Sequence, residues 1–168
     1  MVSEGRPESR DGAPPSEGLR VAIVVARYHD DITTRLMTGA RARLAERGIG
    51  EEDIEVAWAP GAFELPLIAL GFASREDIDA VICLGCVIRG DTDHYQWVCQ
   101  GVTHGIQQVS LETGIPIGFG VLTCDTIEQA DARAGGAEGC KGTEAADAVL
   151  DTIAALDEIA ANDESAGD

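Results

Sequence analysis

Residues 19–26 read LRVAIVVA, and past the charge at Arg20 the run is apolar at every position and rich in Val and Ile. β-branched side chains favour extended backbone, and a run with no polar alternation is a strand buried on both faces. Such a strand belongs in a sheet covered by helices on either side. Outward from it, the chain repeats one pattern. RYHD leads into a helical segment with Ile32, Leu36, Ala40 and Leu44 on one face, closed by Gly48, with Asp30 or Asp31 available to cap its start. A second strand covers residues 54–59, then PGAFELP opens a helix through residues 68–73. A third strand covers residues 80–84. After GCVIRGDTD comes a helix carrying Val98, Val102, Ile106 and Val109 and stopping at Gly114. The fourth strand is read at residues 116–122 and a short helix at 127–134. A last helix places Ala145, Val149, Ile153 and Leu156 or Ala160 on its inner face.

Strands alternating with helices pair in parallel through right-handed crossovers, which gives a three-layer α/β sandwich. Such folds bind ligands outside the carboxyl ends of their strands. The site is therefore expected in RYHDD (27–31), APGAFE (59–64), GCVIRGDTDH (85–94) and FGVLTCDT (119–126). Packing explains the residue choice least well in these same segments.

The chain of 168 residues suits one domain at 19–160, between a polar arm at 1–18 and a flexible tail at 161–168. The arm has no apolar stretch of the kind a secretory leader needs, and no run approaches the roughly 20 residues that span a bilayer. A formal charge of −18 excludes a nucleic-acid footprint and disfavours anionic membranes. It reads more simply as a solvated surface than as a docking site for cations. Five cysteines, odd in number and scattered, suit reduced thiols in the cytosol. Cys83 and Cys86 form a CxxC inside AVICLGCVI, where three-residue spacing on a strand sends the two thiols to opposite faces.

Several residues carry possible chemistry, each beside a plainer role. His94, where the third strand turns into its helix, can exchange protons near neutral pH; a surface or capping histidine fits as well. Asp91 and Thr92 share a turn whose free N–H groups and hydroxyl suit an anion such as phosphate, or an ordinary helix cap. Arg133 and Lys141 bracket AGGAEGC, either as anion-capturing cations or as solvated charges. Aromatics make up only 4% of the chain. Tyr28 and Phe119, read at the ligand end of the strands, offer a stacking surface for a planar ring or else fill the core. Glu64 can accept hydrogen bonds from hydroxyls, or serve as a first-turn helix carboxylate. His29 and His104 are read as structural.

PGAFELP, GCVIRGDTDHY, GFGVLT and QADARAG followed by KG stand in an order and spacing that closely resemble the lumazine synthase family, over about residues 19–160. The resemblance implies a flavodoxin-like four-stranded parallel sheet and a pocket shared between subunits. It also implies the condensation of 5-amino-6-(D-ribitylamino)uracil with 3,4-dihydroxy-2-butanone 4-phosphate, without cofactor or metal. By the same resemblance, Tyr28 stacks on the pyrimidine, the segment Ala62, Phe63 and Glu64 holds the ribityl chain, and Cys86, Val87 and Ile88 read the uracil edge through their backbone. Asp91, Thr92 and Arg133 take the phosphate, His94 moves protons, Phe119 forms a wall across a subunit boundary, and Lys141 reaches the substrates. Cys140, Gln96, Ala59 and Tyr28 depart from the residues usual in that family. As partner, the resemblance implies further copies of the chain, in a pentamer or a shell of sixty. Two rivals remain on the residues alone. A flavin-binding electron carrier is disfavoured because Asp30 and Asp31 would repel a phosphate after the first strand. The other is a scaffold protein without catalysis.

Overall fold

The computed structural model describes residues 18–166. β1 (Val21–Ala26) leads to α1 (Asp30–Glu46), β2 (Ile54–Ala59), α2 (Leu65–Ala73), β3 (Ala80–Ile88), α3 (His94–Thr113), β4 (Ile117–Cys124) and α4 (Ile127–Arg133). A small hairpin of β5 (Ala134–Gly136) and β6 (Gly139–Cys140) then introduces α5 (Lys141–Ala166). The main sheet has the order β2-β1-β3-β4, and every neighbouring pair is parallel. This is the flavodoxin-like α/β sandwich expected from the alternation of runs.

β1 occupies an inner position of the sheet, and none of its six residues reaches solvent. Val21, Ile23 and Val25 pack toward Ile32, Leu36, Ala40 and Leu44 of α1 and toward Ala145, Ala146, Val149 and Leu150 of α5. Ala22, Val24 and Ala26 face the other way, among Leu65 and Ala69 of α2 and Val102, Ile106 and Val109 of α3. Each buried Val, Ile or Leu contributes roughly 1.5–3 kcal/mol by removal from water, so these two clusters are the main stabilising term. Cys83 lies in the second cluster and Cys86 in the first, on opposite faces of β3 as the strand period demands. Burial alone pushes the Cys83 thiol up to about 12.

Missing side chains let the layers close. A Cβ on Gly142 would lie 1.9 Å from the Leu36 carbonyl oxygen, so α5 crosses α1 backbone against backbone. The crossing is held further along by Arg43 Nε and Arg47 Nη1, which donate to the buried Asp147 Oδ1 at 2.7 and 2.9 Å. On the other face, a Cβ on Gly105 of α3 would meet Pro66 of α2 at 2.7 Å.

Several boundaries differ from the sequence reading, each for a physical reason. β3 continues past residue 84 because Cys86–Ile88 keep their ladder with Leu122–Cys124 of β4. Phe119 is consequently the third residue of β4 and sits exposed at mid-strand, not at the ligand end where the sequence reading put it. Neither Asp30 nor Asp31 caps α1. The His29 carbonyl accepts from Ile32 and Thr33 N–H at 2.9 and 3.0 Å, with His29 itself in the left-handed region at φ 55°. The glycine-rich link is a hairpin, with Gly135 and Gly139 at φ 98° and 85°. α5 outruns the sheet, so its inner face ends near Ile153 and Leu156, Ile159 and Ala160 are exposed. The helix continues through residues 161–166, where a tail was expected, while the arm expected at 1–18 lies outside the described residues but for Gly18. No helix among the described residues is long and apolar enough to cross a membrane.

Candidate active site

The carboxyl ends of β1, β2 and β3 open onto a cleft of about 510 Å³, built from three loops and the start of α3. The first loop leaves β1 with Arg27 N–H bonded to the Ala59 carbonyl at 2.9 Å, which ties it to the end of β2. Tyr28 follows, 72% exposed, with its ring 6.4 Å from that of His29 and inclined at 62°. An aromatic this exposed contributes little to the core and leaves a face for a planar ligand.

The second loop turns at Gly61 into a 3-10 turn, Ala62–Glu64, before α2. A Cβ on Gly61 would lie 3.2 Å from Glu64 Oε2 and 3.6 Å from the Tyr28 ring, so the bare glycine lets carboxylate and ring close around one point. Ala62 is buried beneath, whereas Phe63 is 61% exposed. The Phe63 ring lies over Gly101 of α3, where a Cβ would stand 2.6 Å from it. The third wall is the end of β3. Cys86 is buried, and desolvation pushes its thiol up to about 12, so it presents a neutral thiol and not a nucleophile. Val87 and Ile88 are half-buried beside it.

His94 is the first residue of α3 and lines the cleft from an exposed position. Its N–H donates to Thr92 Oγ1 at 3.4 Å, so Thr92 supplies the cap that Asp93 does not. Trp97, one helical turn on, and Val98 line the same wall. Tyr28, Ala62, Phe63, Glu64, Cys86, Val87, Ile88 and His94 are thus brought together as the sequence reading expected.

The remaining expected residues stand elsewhere. Asp91 and Thr92 are exposed in the turn ahead of α3, outside the cleft lining. Arg133 ends α4, its Nη1 donating to the Gln129 carbonyl at 3.0 Å, and Lys141 pairs with Glu144. Phe119 lies on the exposed edge strand. Conversely, His29, read as structural, lines the cleft, as do Gly61, Trp97 and Val98. Trp97 was accessible through its i+3 spacing from His94. His29 gave no such signal, because its left-handed backbone is invisible in the sequence. Among the described residues no group of three or more His, Cys, Asp or Glu side chains is placed to hold a metal ion.

The arrangement offers an aromatic face, a carboxylate for hydroxyls, the end of a strand and an imidazole, all around one space. Comparison with known proteins points the same way. The family model described as 6,7-dimethyl-8-ribityllumazine synthase matches residues 18–157. A 6,7-dimethyl-8-ribityllumazine synthase of Pediococcus pentosaceus is 48% identical over 135 residues, covering 80% of this chain and 86% of that protein. With the sheet, the loops and the sequence in agreement, the chain belongs to the 6,7-dimethyl-8-ribityllumazine synthase family.

Proposed function

We propose that this cleft condenses 5-amino-6-(D-ribitylamino)uracil with 3,4-dihydroxy-2-butanone 4-phosphate to 6,7-dimethyl-8-ribityllumazine, a transferase reaction of riboflavin biosynthesis. The observation that carries the reading is the convergence of Tyr28, Glu64, the Cys86–Ile88 strand end and His94 on one cleft from three separate segments. Tyr28 stacks on the pyrimidine, Glu64 with Ala62 and Phe63 receives the ribityl chain, and the peptide groups of Cys86, Val87 and Ile88 read the uracil edge. Asp91 and Thr92, with Arg133, take the phosphate, and Lys141 reaches the bound substrates.

The chemistry asks only for proton movement and positioning. The pyrimidine amine adds to the ketone, and loss of one water gives an imine. Loss of a proton from the sugar-derived carbon expels phosphate and leaves an enol, which becomes a ketone by proton shift. The ribityl-bearing nitrogen then closes the ring on that ketone with loss of a second water. His94 exchanges these protons at the cleft wall. Each step is an addition, an elimination or a proton transfer, with no net change of oxidation state and no covalent enzyme intermediate, so no cofactor is needed. Holding two substrates together supplies much of the acceleration.

The reading includes assembly. Phe63, Leu67, Trp97, Leu111 and Phe119 are all exposed on the side of the sheet that carries α2 and α3. Apolar side chains gathered on one side favour burial against another molecule. A second copy there would bring its Phe119 to this cleft, which suits a ring of five sharing pockets between neighbours. The short link at residues 133–141 favours further packing of pentamers into a sixty-chain shell. Five free thiols suit the cytosol. The test is to supply both substrates to the purified protein and follow lumazine and phosphate together.

A further inference from the structure

Among the described residues, His29 is the one residue other than glycine whose backbone lies in the left-handed region, at φ 55° and ψ 54°. A residue with a Cβ is disfavoured there, so the surrounding structure holds this conformation against a local cost. Its main-chain contacts do not call for a histidine. The His29 carbonyl accepts from Ile32 and Thr33 N–H at the start of α1, which any residue can do, and its side chain makes no capping hydrogen bond. Side chains held on such backbone cluster at ligand sites, where their direction matters.

Tyr28 and Asp30 on either side are exposed, whereas His29 is half-buried and lines the cleft. Its ring meets that of Tyr28 edge-on, with centroids 6.4 Å apart. The Tyr28 ring in turn comes close to Glu64, since ring and Oε2 stand 3.6 and 3.2 Å from one point over Gly61. His29 and Glu64 are thus the two half-buried ionisable side chains of the lining, each beside the Tyr28 ring. Among the described residues, neither side chain has a hydrogen-bond or ion-pair partner. An imidazole can donate at one nitrogen and accept at the other, and a carboxylate accepts. A run of hydroxyls donates and accepts at every carbon, so it satisfies both groups together.

We propose that His29 is a specificity-determining residue that, with Glu64, holds the polyhydroxy chain of the pyrimidine substrate. This rests on the proposed function, which brings that chain to Glu64. The left-handed backbone serves to turn the imidazole to the hydroxyls. A pyrimidine with a plain alkyl group in place of the polyol expels water from the cleft and leaves imidazole and carboxylate unpaired, so it is rejected.

The test compares 5-amino-6-(D-ribitylamino)uracil with 5-amino-6-(methylamino)uracil, which keeps both reacting nitrogens and lacks the polyol. Dissociation constants of the two are measured by calorimetry, with kcat and Tm, on the assembled wild type and on His29→Gly, His29→Ala and His29→Asn. The wild type should bind the ribityl compound more tightly. His29→Gly should reduce that preference by about three- to tenfold, the loss of one hydrogen bond, and weaken the ribityl compound alone. Affinity for the methylamino compound should stay within about twofold. Glycine is at home on left-handed backbone and alanine is not, so Tm should be higher in His29→Gly than in His29→Ala while both lose preference alike. Asparagine tolerates the same backbone and can donate and accept, so His29→Asn should recover part of the preference. An unchanged preference in His29→Gly, an equal loss on both pyrimidines, or a preference that follows Tm across the variants would overturn the proposal. A wild type that makes no lumazine, or that binds both pyrimidines equally, would instead refute the functional reading beneath it.

Discussion

His94 stands on the first turn of α3 with Trp97 one turn further along the same wall, so a rigid element carries the imidazole to the cleft. General acid–base assistance is typically worth about 10²–10⁴, and phosphate leaving from the substrate can itself carry protons. His94→Ala is therefore expected to lower kcat by roughly tenfold to a few hundredfold, with both substrates still bound. Full kcat in that variant between about pH 6 and 8 would remove the proton-transfer role. Arg133 differs in kind: its Nη1 donates to the Gln129 carbonyl, and in the proposed function its guanidinium takes the phosphate. Arg133→Ala should raise KM for the butanone phosphate far more than KM for the pyrimidine. The loss corresponds to about 1.5–3 kcal/mol for a charge-assisted contact, measured by steady-state kinetics with each substrate varied in turn. At this scale the sequence reveals residues placed by a rule of topology. Tyr28, Glu64 and His94 follow strands and Cys86–Ile88 end one, and strand ends meet at one side of the sheet. It does not reveal His29, whose place in the cleft depends on a left-handed backbone at the start of α1. Nor does it bring Phe119 to the ligand end, because the full length of β4 is decided by pairing with β3.

Elements were legible where one period dominated. α1 buries the residues its 3.6-residue spacing selects, α3 buries all of its own but Val98, which is half-buried at the cleft, and β1 is buried along its whole length. Ends were less legible, because they are set by partners distant in sequence. β3 reads as finished at residue 84 until β4 is laid beside it, and α5 continues for three turns beyond the sheet that would bury it. Glycine in α5 shows the same dependence. Local propensity favours Ala over Gly inside a helix by about 1 kcal/mol, so Gly142→Ala looks stabilising from sequence. In the fold, that Cβ would meet the Leu36 carbonyl oxygen at 1.9 Å, and neither backbone can give way. The expected outcome is a net loss of about 1–3 kcal/mol, as for an overpacked core. That corresponds to a fall in Tm of roughly 3–10 °C by calorimetry. An unchanged or raised Tm would mean that α1 and α5 do not cross as closely as described.

At the scale of the whole molecule, the proposed site falls in two parts. A single chain gathers Tyr28, Glu64, Cys86–Ile88 and His94 around one cleft, but its Phe119 stands exposed on the edge strand β4, outside that lining. In the proposed assembly, a neighbour related by closed symmetry would complete the pocket with its own Phe119. At 17.6 kDa per chain, a pentamer is about 90 kDa and a sixty-chain shell about 1 MDa. The formal charge of −18 on each chain accumulates on assembly. Screening over a Debye length of about 8–10 Å at ordinary ionic strength would let a shell persist there, and its loss at low salt would weaken one. Sedimentation velocity across a salt series should show a large species that gives way to pentamers as salt is removed. One species near 90 kDa throughout would exclude the shell, and a monomer would exclude the shared pocket.

The cleft at the strand ends is proposed to join the two substrates without metal or cofactor. Its most direct measurement mixes purified protein, stripped with a strong chelator, with ribitylaminouracil and the butanone phosphate. Lumazine is followed by absorbance and inorganic phosphate is assayed in the same samples. Lumazine and phosphate are expected in equal amounts, at a rate proportional to protein and indifferent to chelator. No lumazine above the uncatalysed rate, or formation that requires added metal or cofactor, would contradict it.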